Sequence, residues 1–204
     1  MLIGDGDFRY EWVEGWGSAV KRKWQEIKEI PGVTVDQQDQ VYLLTRVHPP
    51  VIQVDREGRI VDSFGSGIFV RPHGICRTVQ GDILGVDDGG HAVYRFDAQR
   101  KLIQTLGTRG IPSDTGCPTD GRYTQILYGG PPFNRPTRLT VDRDGMIYVT
   151  DGYRNARVHK FSPSGQLLAS WGEPGTGPGQ FQIPHGIGID ENQTLYVADR
   201  ENHR

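Results

Sequence analysis

The stretch RLTVDRDGMIYVTDG (Arg138–Gly152) decides how this chain folds. Apolar and polar residues alternate through Leu139 and Val141, an Asp-Arg-Asp-Gly turn follows, and Ile147, Tyr148 and Val149 begin a second extended run. Alternation at period two broken by a Gly-bearing turn is the mark of two half-buried strands in a hairpin. Three other segments superimpose on it without gaps: GVTVDQQDQVYLLTR (Gly32–Arg46), GICRTVQGDILGVDD (Gly74–Asp88) and GIGIDENQTLYVADR (Gly186–Arg200). Third strands follow at Ala92–Asp97 and Ala156–Ser162, and fourth strands end in the related strings IVDSFG, LIQTLG and LLASWG. Four strands in a meander, repeated along the chain, make the blades of a β-propeller. The expected class is therefore all-β, with about three and a half blades of a probable six.

The repeats are anchored on Pro72, Pro136 and Pro184, spaced 64 and 48 residues apart. The longer spacing holds an insertion, Gly107–Pro132, rich in Gly, Pro, Thr and Tyr, and such insertions often border a binding site. Residues 1–31 read as a segment leading into the propeller, with Gly17–Ile30 as either a short helix or an edge segment. Residues 32–204 read as the repeat domain. Three and a half blades leave sheet edges open, so the expectation is a piece of a longer propeller or a chain completed by a partner copy.

The composition fits. Twenty-eight glycines and 13 prolines in 204 residues are spread over turn positions. A net charge of −2 supplies no basic field for nucleic acid or an anionic membrane. No apolar run is long enough for a membrane helix, and the acidic, aromatic N-terminus lacks a signal-peptide pattern. Cys76 and Cys117 make no disulfide framework. Together these point to a cytoplasmic location.

The string Pro-His-Gly-Ile occurs twice, at Pro72–Ile75 and Pro184–Ile187. A repeat array carries residues distant in sequence to equivalent places in space, so His73 and His185 can face one centre. Thr137 holds the same register in the repeat between them, so histidine is not a general repeat residue. Two imidazoles suit zinc, which commonly takes three protein ligands at a catalytic site; turn histidines closing strand ends would read the same way. Asp151, Asn155, Arg157, Asp199 and Asn202, after the second strands, are explained by turn hydrogen bonds and ion pairs. Tyr153 and Arg200 are large residues on loops at the propeller mouth, and Arg46 holds the matching place in the first blade. Guanidiniums there would bind a carboxylate bidentately. His91 is a further candidate near the mouth. His48, His159 and His203 read as ordinary loop or strand residues, and Asp87–Asp88 as a strand-end turn.

The strings FNRPTRL, DGYRNARVHKFSPSGQLLASWGEPGTGPGQF, IPHGI and VADREN resemble the peptidyl-α-hydroxyglycine α-amidating lyase family, built from NHL-type repeats. The resemblance runs from about Gly32 to Arg204. It implies a six-bladed propeller that cleaves a C-terminal α-hydroxyglycine into a peptide amide and glyoxylate with a catalytic zinc held by three histidines. His73 and His185 match two of them, and the third would come from a later blade. Tyr153 matches the family's proposed base, and Arg46 and Arg200 its active-site arginines. The resemblance also implies a structural calcium held by main-chain carbonyls, for which Val33 and Ile75 align. A disulfide of the secreted animal enzymes would join the positions of Asn134 and Arg154, which cannot form one.

The expected function is thus a zinc-dependent lyase acting on a small-molecule or peptide substrate that ends in α-hydroxyglycine. A phenol titrates near ~10, so a Tyr153 base would draw on neighbouring cations. The alternative is a non-catalytic NHL propeller that binds a protein or peptide at its mouth. An RNA-binding module would need a basic patch. A calcium-dependent lactonase would use carboxylate and Asn ligands, and no such cluster precedes the histidine register.

Overall fold

The structure is a computed structural model that describes residues 1–23 and 27–204. Two short strands, β1 (Leu2–Asp5) and β2 (Phe8–Glu11), form an exposed N-terminal hairpin, and α1 (Ser18–Lys23) follows. The helix is shorter than Gly17–Ile30: residues 27–30 have no regular structure, and residues 24–26 lie outside the described residues.

The repeats form three complete four-stranded antiparallel blades. Blade I comprises β3 (Gly32–Val35), β4 (Val41–Leu44), β5 (Val51–Val54) and β6 (Ile60–Phe64). Blade II comprises β7 (Pro72–Arg77), β8 (Ile83–Asp87), β9 (Ala92–Phe96) and β10 (Leu102–Gly107). Blade III comprises β11 (Arg138–Val141), β12 (Ile147–Asp151), β13 (Arg157–Phe161) and β14 (Leu167–Trp171). A short parallel pair, β15 (Glu173–Pro174) with β16 (Gln180–Phe181), leads to a two-stranded start of blade IV, β17 (Pro184–Ile189) with β18 (Leu195–Asp199). The first strands β3, β7, β11 and β17 pack side by side as the innermost layer, while β10 and β14 face outward with mostly exposed residues.

In blades I, III and IV the first hairpin turn is set by an Asp that opens it, and in blade II by Thr78, whose Oγ1 accepts the Asp82 N–H at 3.0 Å. Asp142 Oδ1 accepts the N–H groups of Asp144 and Met146, at 2.9 and 2.8 Å, and Asp36 and Asp190 do the same in their own blades. Such side-chain-to-backbone bonds fix a tight turn and so fix strand register.

Strand alternation then sends each blade's residues to two interfaces. From blade II, Ile83, Tyr94 and Phe96 join Tyr42, Leu44, Phe64 and Phe69 in the core against blade I. Leu84, Val86, Val93 and Leu106 join Phe133, Leu139, Val149 and Phe161 in the core against blade III. Both faces of these blades are apolar because both are covered, as sheets stacked around an axis require. On the outer side of blade I, Val20 of α1 covers Leu43, Ile52 and Val54.

The insertion contains one 3₁₀ turn, Tyr123–Gln125, and no strand. It is stitched to the loop after β12: Thr115 Oγ1 donates to the Arg154 carbonyl at 2.7 Å, and Gly130 N–H donates to Asn155 Oδ1 at 2.7 Å. Cys76 and Cys117 are both free thiols.

Candidate functional site

The two histidines lie inside the first strands, His73 in β7 and His185 in β17. The β7–β8 register shifts between Pro72 and Gly74, and the β17–β18 register shifts between Pro184 and Gly186. A bulge of this kind re-aims one side chain out of the alternation, and in both strands that residue is the histidine. The result is convergence: the His73 and His185 rings stand 5.0 Å apart, centroid to centroid, nearly perpendicular.

Thr137, the residue of the same register in blade III, holds the pair together. Its carbonyl accepts from His73 Nδ1 at 2.8 Å, and its hydroxyl donates to the Pro184 carbonyl at 2.9 Å, one residue before His185. The Nδ1–H bond to a carbonyl settles the His73 tautomer and leaves Nε2 with its lone pair. That nitrogen lies 2.9 Å from the Tyr153 hydroxyl, and His185 Nε2 lies 3.0 Å from the same oxygen.

Tyr153 reaches this point because of the turn behind it. Asp151 is fully buried at the end of β12 and accepts from the Asn134 N–H, from Asn155 Nδ2 at 2.6 Å and from His159 Nε2 at 3.3 Å. His159 is held in turn by Ser170 Oγ, 2.7 Å from Nδ1. The next residue, Gly152, passes so close to blade IV that a Cβ on it would press into the Pro184 carbonyl oxygen. Tyr153 follows directly.

Burial and the charges of His185, Arg138 and Arg71 push His73 down to about 4, against the carbonyl bond from Thr137, which pulls the other way. His185 is lowered as well, by burial and by Arg200 and Arg138. Both imidazoles are therefore neutral at physiological pH, the state in which a ring nitrogen can bind a metal.

The donor set fits a cation such as zinc. Two imidazole Nε2 atoms and a phenol oxygen converge, and His73 Nε2 offers its lone pair there because Nδ1 carries the ring proton. The carbonyl behind His73 is the usual outer support of a metal-bound imidazole. Among the described residues no group of three or more His, Cys, Asp or Glu side chains comes together, so the two histidines do not complete a ligand set by themselves.

Above this cluster opens a cavity of about 340 Å³ lined by Tyr123, Tyr153, Ile183 and five arginines: Arg71, Arg122, Arg135, Arg154 and Arg200. Arg200 lies over the Tyr153 ring, 5.7 Å from guanidinium carbon to centroid, and pairs with Glu201 at 2.8 Å. Arg71 pairs with the buried Asp88 at 2.7 Å, and Arg135 approaches the same carboxylate at 3.9 Å. Burial raises Asp88 against the pull of these arginines. Burial and the charge of Arg135 lower Arg154.

Of the residues picked out in the sequence, His73, His185, Tyr153 and Arg200 share one site. Arg46 does not line this cavity; it pairs with Glu29 and lines a smaller one beside it, with Arg71 common to both. His91 also stands apart, its Nδ1 accepting the Arg135 N–H at 3.2 Å beside a cavity under the insertion. Val33 and Ile75 lie on the neighbouring innermost strands β3 and β7, which touch where Gly32 meets Ile75. Asn134 and Arg154 are spatial neighbours, the Arg154 N–H donating to the Asn134 carbonyl at 3.2 Å.

Sequence reading gave no site role to Thr137, Arg71, Arg135 or Arg154. A signal for two of them exists: the residues just before the anchor prolines are Arg71, Arg135 and Ile183, and all three line the cavity. Arg157, read as a turn or ion-pair residue, pairs with Glu173.

The NHL repeat family matches residues 133–161 and 181–204. The probable peptidyl-alpha-hydroxyglycine alpha-amidating lyase pgal-1 of Caenorhabditis elegans is 34% identical over 155 residues, covering 74% of this chain and 40% of that protein. The peptidylglycine alpha-amidating monooxygenase of Rattus norvegicus is 34% identical over 151 residues, covering 71% of this chain and 14% of that protein. The chain thus spans less than half the length of either relative. Among solved structures, a streptogramin B lyase superimposes with a TM-score of 0.63 at 16% identity, over 86% of this chain and 50% of that one, which shows the shared propeller fold. By its repeats, fold and sequence, the chain is an NHL-repeat β-propeller related to the peptidyl-α-hydroxyglycine α-amidating lyase family.

Proposed function

We propose that this chain carries the metal-binding and proton-accepting residues of a lyase that cleaves peptidyl-α-hydroxyglycine to a peptide amide and glyoxylate. The observation that carries the reading is the meeting of His73 Nε2 and His185 Nε2 at the Tyr153 hydroxyl beneath an arginine-lined mouth. His73 and His185 would hold zinc, with a third ligand that these two do not supply. Bound there, zinc would contribute Lewis-acid polarisation of the substrate's carbinol oxygen.

The chain's own residues do the rest. Tyr153 accepts the carbinol proton at its phenol oxygen. The carbon–oxygen double bond of glyoxylate forms as the carbon–nitrogen bond breaks, and the departing amide nitrogen takes that proton from the Tyr153 hydroxyl, which restores the phenolate. Arg200, stacked on the Tyr153 ring, offers a cation to the phenolate and a fork to the substrate carboxylate. Arg46, the other arginine the resemblance picks out, pairs with Glu29 outside this cavity and takes no part in the proposed step. A structural calcium at the main chain of Val33 and Ile75 belongs to the same reading and draws on their innermost position in the fold.

The test is glyoxylate release from an N-acyl-α-hydroxyglycine with zinc added, beside His185→Ala and a measurement of bound zinc. Release that is lost in the variant supports the lyase. A chain that binds no zinc and releases nothing, yet binds peptide, is the non-catalytic propeller instead.

A further inference from the structure

The mouth holds more positive charge than one glycine carboxylate uses. Five guanidiniums line it, and their carboxylate partners are Asp88, shared by Arg71 and Arg135, and Glu201, on Arg200. Among the described residues no carboxylate lies within ion-pair distance of Arg122 or Arg154. The Arg154 guanidinium is engaged through its Nη1, which donates to the Thr119 carbonyl.

Both residues are held in place through their backbones. The Arg122 N–H donates to Gln125 Oε1 at 2.7 Å, and the Gln125 N–H returns a bond to the Arg122 carbonyl at 2.9 Å, which fixes that residue at the start of the 3₁₀ turn. Tyr123, next along, donates to Glu201 at 3.3 Å and ties the insertion to the end of β18. Arg154 follows Tyr153 directly and is anchored through Thr115.

The size of the cavity agrees. At about 340 Å³ it falls in the range of roughly 300–1,000 Å³ for sites that enclose a whole small molecule, more than a two-carbon glyoxylate unit fills. Clefts lined by one sign of charge concentrate ligands of the other.

We infer that the mouth selects peptides bearing a carboxylate side chain immediately before the terminal α-hydroxyglycine, with Arg122 and Arg154 receiving that second carboxylate. This inference rests on the lyase reading above. It assigns the insertion a role in specificity, through a residue that stands outside the histidine–tyrosine cluster.

Binding tests it without turnover. The full chain is titrated calorimetrically, at low salt, with N-acetyl-Glu-Gly, N-acetyl-Gln-Gly and N-acetyl-Glu-Gly amide. A carboxylate gripped by a guanidinium in a partly buried site predicts at least about tenfold tighter binding of the Glu peptide than of the Gln peptide. That ratio falls toward one in Arg122→Gln and in Arg154→Gln, is partly restored in Arg122→Lys, and shrinks as salt is raised. Equal affinity for the Glu and Gln peptides, a ratio unmoved by both variants, or no binding of any peptide overturns the inference. The lyase reading is judged separately, on the corresponding α-hydroxyglycine peptides. Glyoxylate release with no Glu preference sinks the inference alone. A Glu preference in binding with no release from any peptide sinks the lyase and leaves the acidic-peptide site.

Discussion

Tyr153 shows how one side chain comes to matter through its neighbours. Its hydroxyl is shared by two imidazoles, and its ring lies under a guanidinium. Under the lyase proposal, Tyr153→Phe removes the proton acceptor and leaves both histidines in place. Steady-state glyoxylate release should then fall by about 10²-fold or more with bound zinc unchanged; undiminished turnover would exclude Tyr153 from the chemistry. The histidines carry a second expectation, for the metal-free chain. His73 is lowered from its usual 6.5 to about 4, so the folded state resists protonation and the unfolded state takes up the proton first. The associated stability is full above about 6.5 and is lost as pH falls from there to about 4. The loss is on the order of 3 kcal/mol at most, and the lowered His185 acts in the same direction. Urea unfolding across that range should show the fall, and a flatter profile in His73→Gln; a wild-type stability constant from 7 to 4 would contradict it.

At the scale of single elements, bulges and close passages decide where the site residues point. Both histidines sit where a first strand slips register, and the loops after β8, β12 and β18 are each pinned by a buried Asp: Asp87 by the N–H groups of Val70, Arg71 and Gly90, Asp151 by Asn134 and Asn155, and Asp199 by Gln182 and Asn202. Gly152 lets the loop that bears Tyr153 lie against the Pro184 backbone, and a methyl there would strike the carbonyl oxygen and come within 3.0 Å of the carbonyl carbon. Gly152→Ala should therefore cost about 1–3 kcal/mol, measured by thermal or urea melts. It should also draw Tyr153 away from His185 and reduce glyoxylate release more than it reduces stability. A variant as active and as stable as wild type would show that the contact is slack. Packing between blades carries a larger effect. Phe133 is fully buried, lies against Phe161 and His159, and directly follows the insertion, so Phe133→Ala should destabilise by about 3–5 kcal/mol.

Across the whole molecule, the site is a product of the array. His73 belongs to blade II, Tyr153 to blade III and His185 to blade IV, and Thr137 bonds to both flanking blades. A metal held by the two histidines would tie blades II and IV together across blade III. Zinc should then raise the melting temperature, by an amount corresponding to about 4 kcal/mol at a thousandfold excess over its dissociation constant. His73→Ala should abolish the shift. A shift of equal size in that variant would place zinc elsewhere.

The repeats were legible because period-two alternation and short polar turns opened by Asp or Thr are local properties, written in every blade segment from Gly32 to Arg200. The histidines and Tyr153 were legible for a related reason: equivalent repeat positions converge, so a register match in sequence becomes a neighbour relation in space. Other features were beyond a linear reading. Arg46 matched Arg200 in register but found Glu29 as its partner, a residue of the N-terminal segment that no repeat alignment includes. Arg122 and Arg154 meet at one mouth only because the insertion folds back onto the loop after β12. Thr137 looked like the register's exception, yet its carbonyl fixes the His73 tautomer. The blade follows from the linear chain, since alternation and turns act over a few residues. The site follows from folding, because distance, burial and opposing charge are set between segments that the chain keeps far apart.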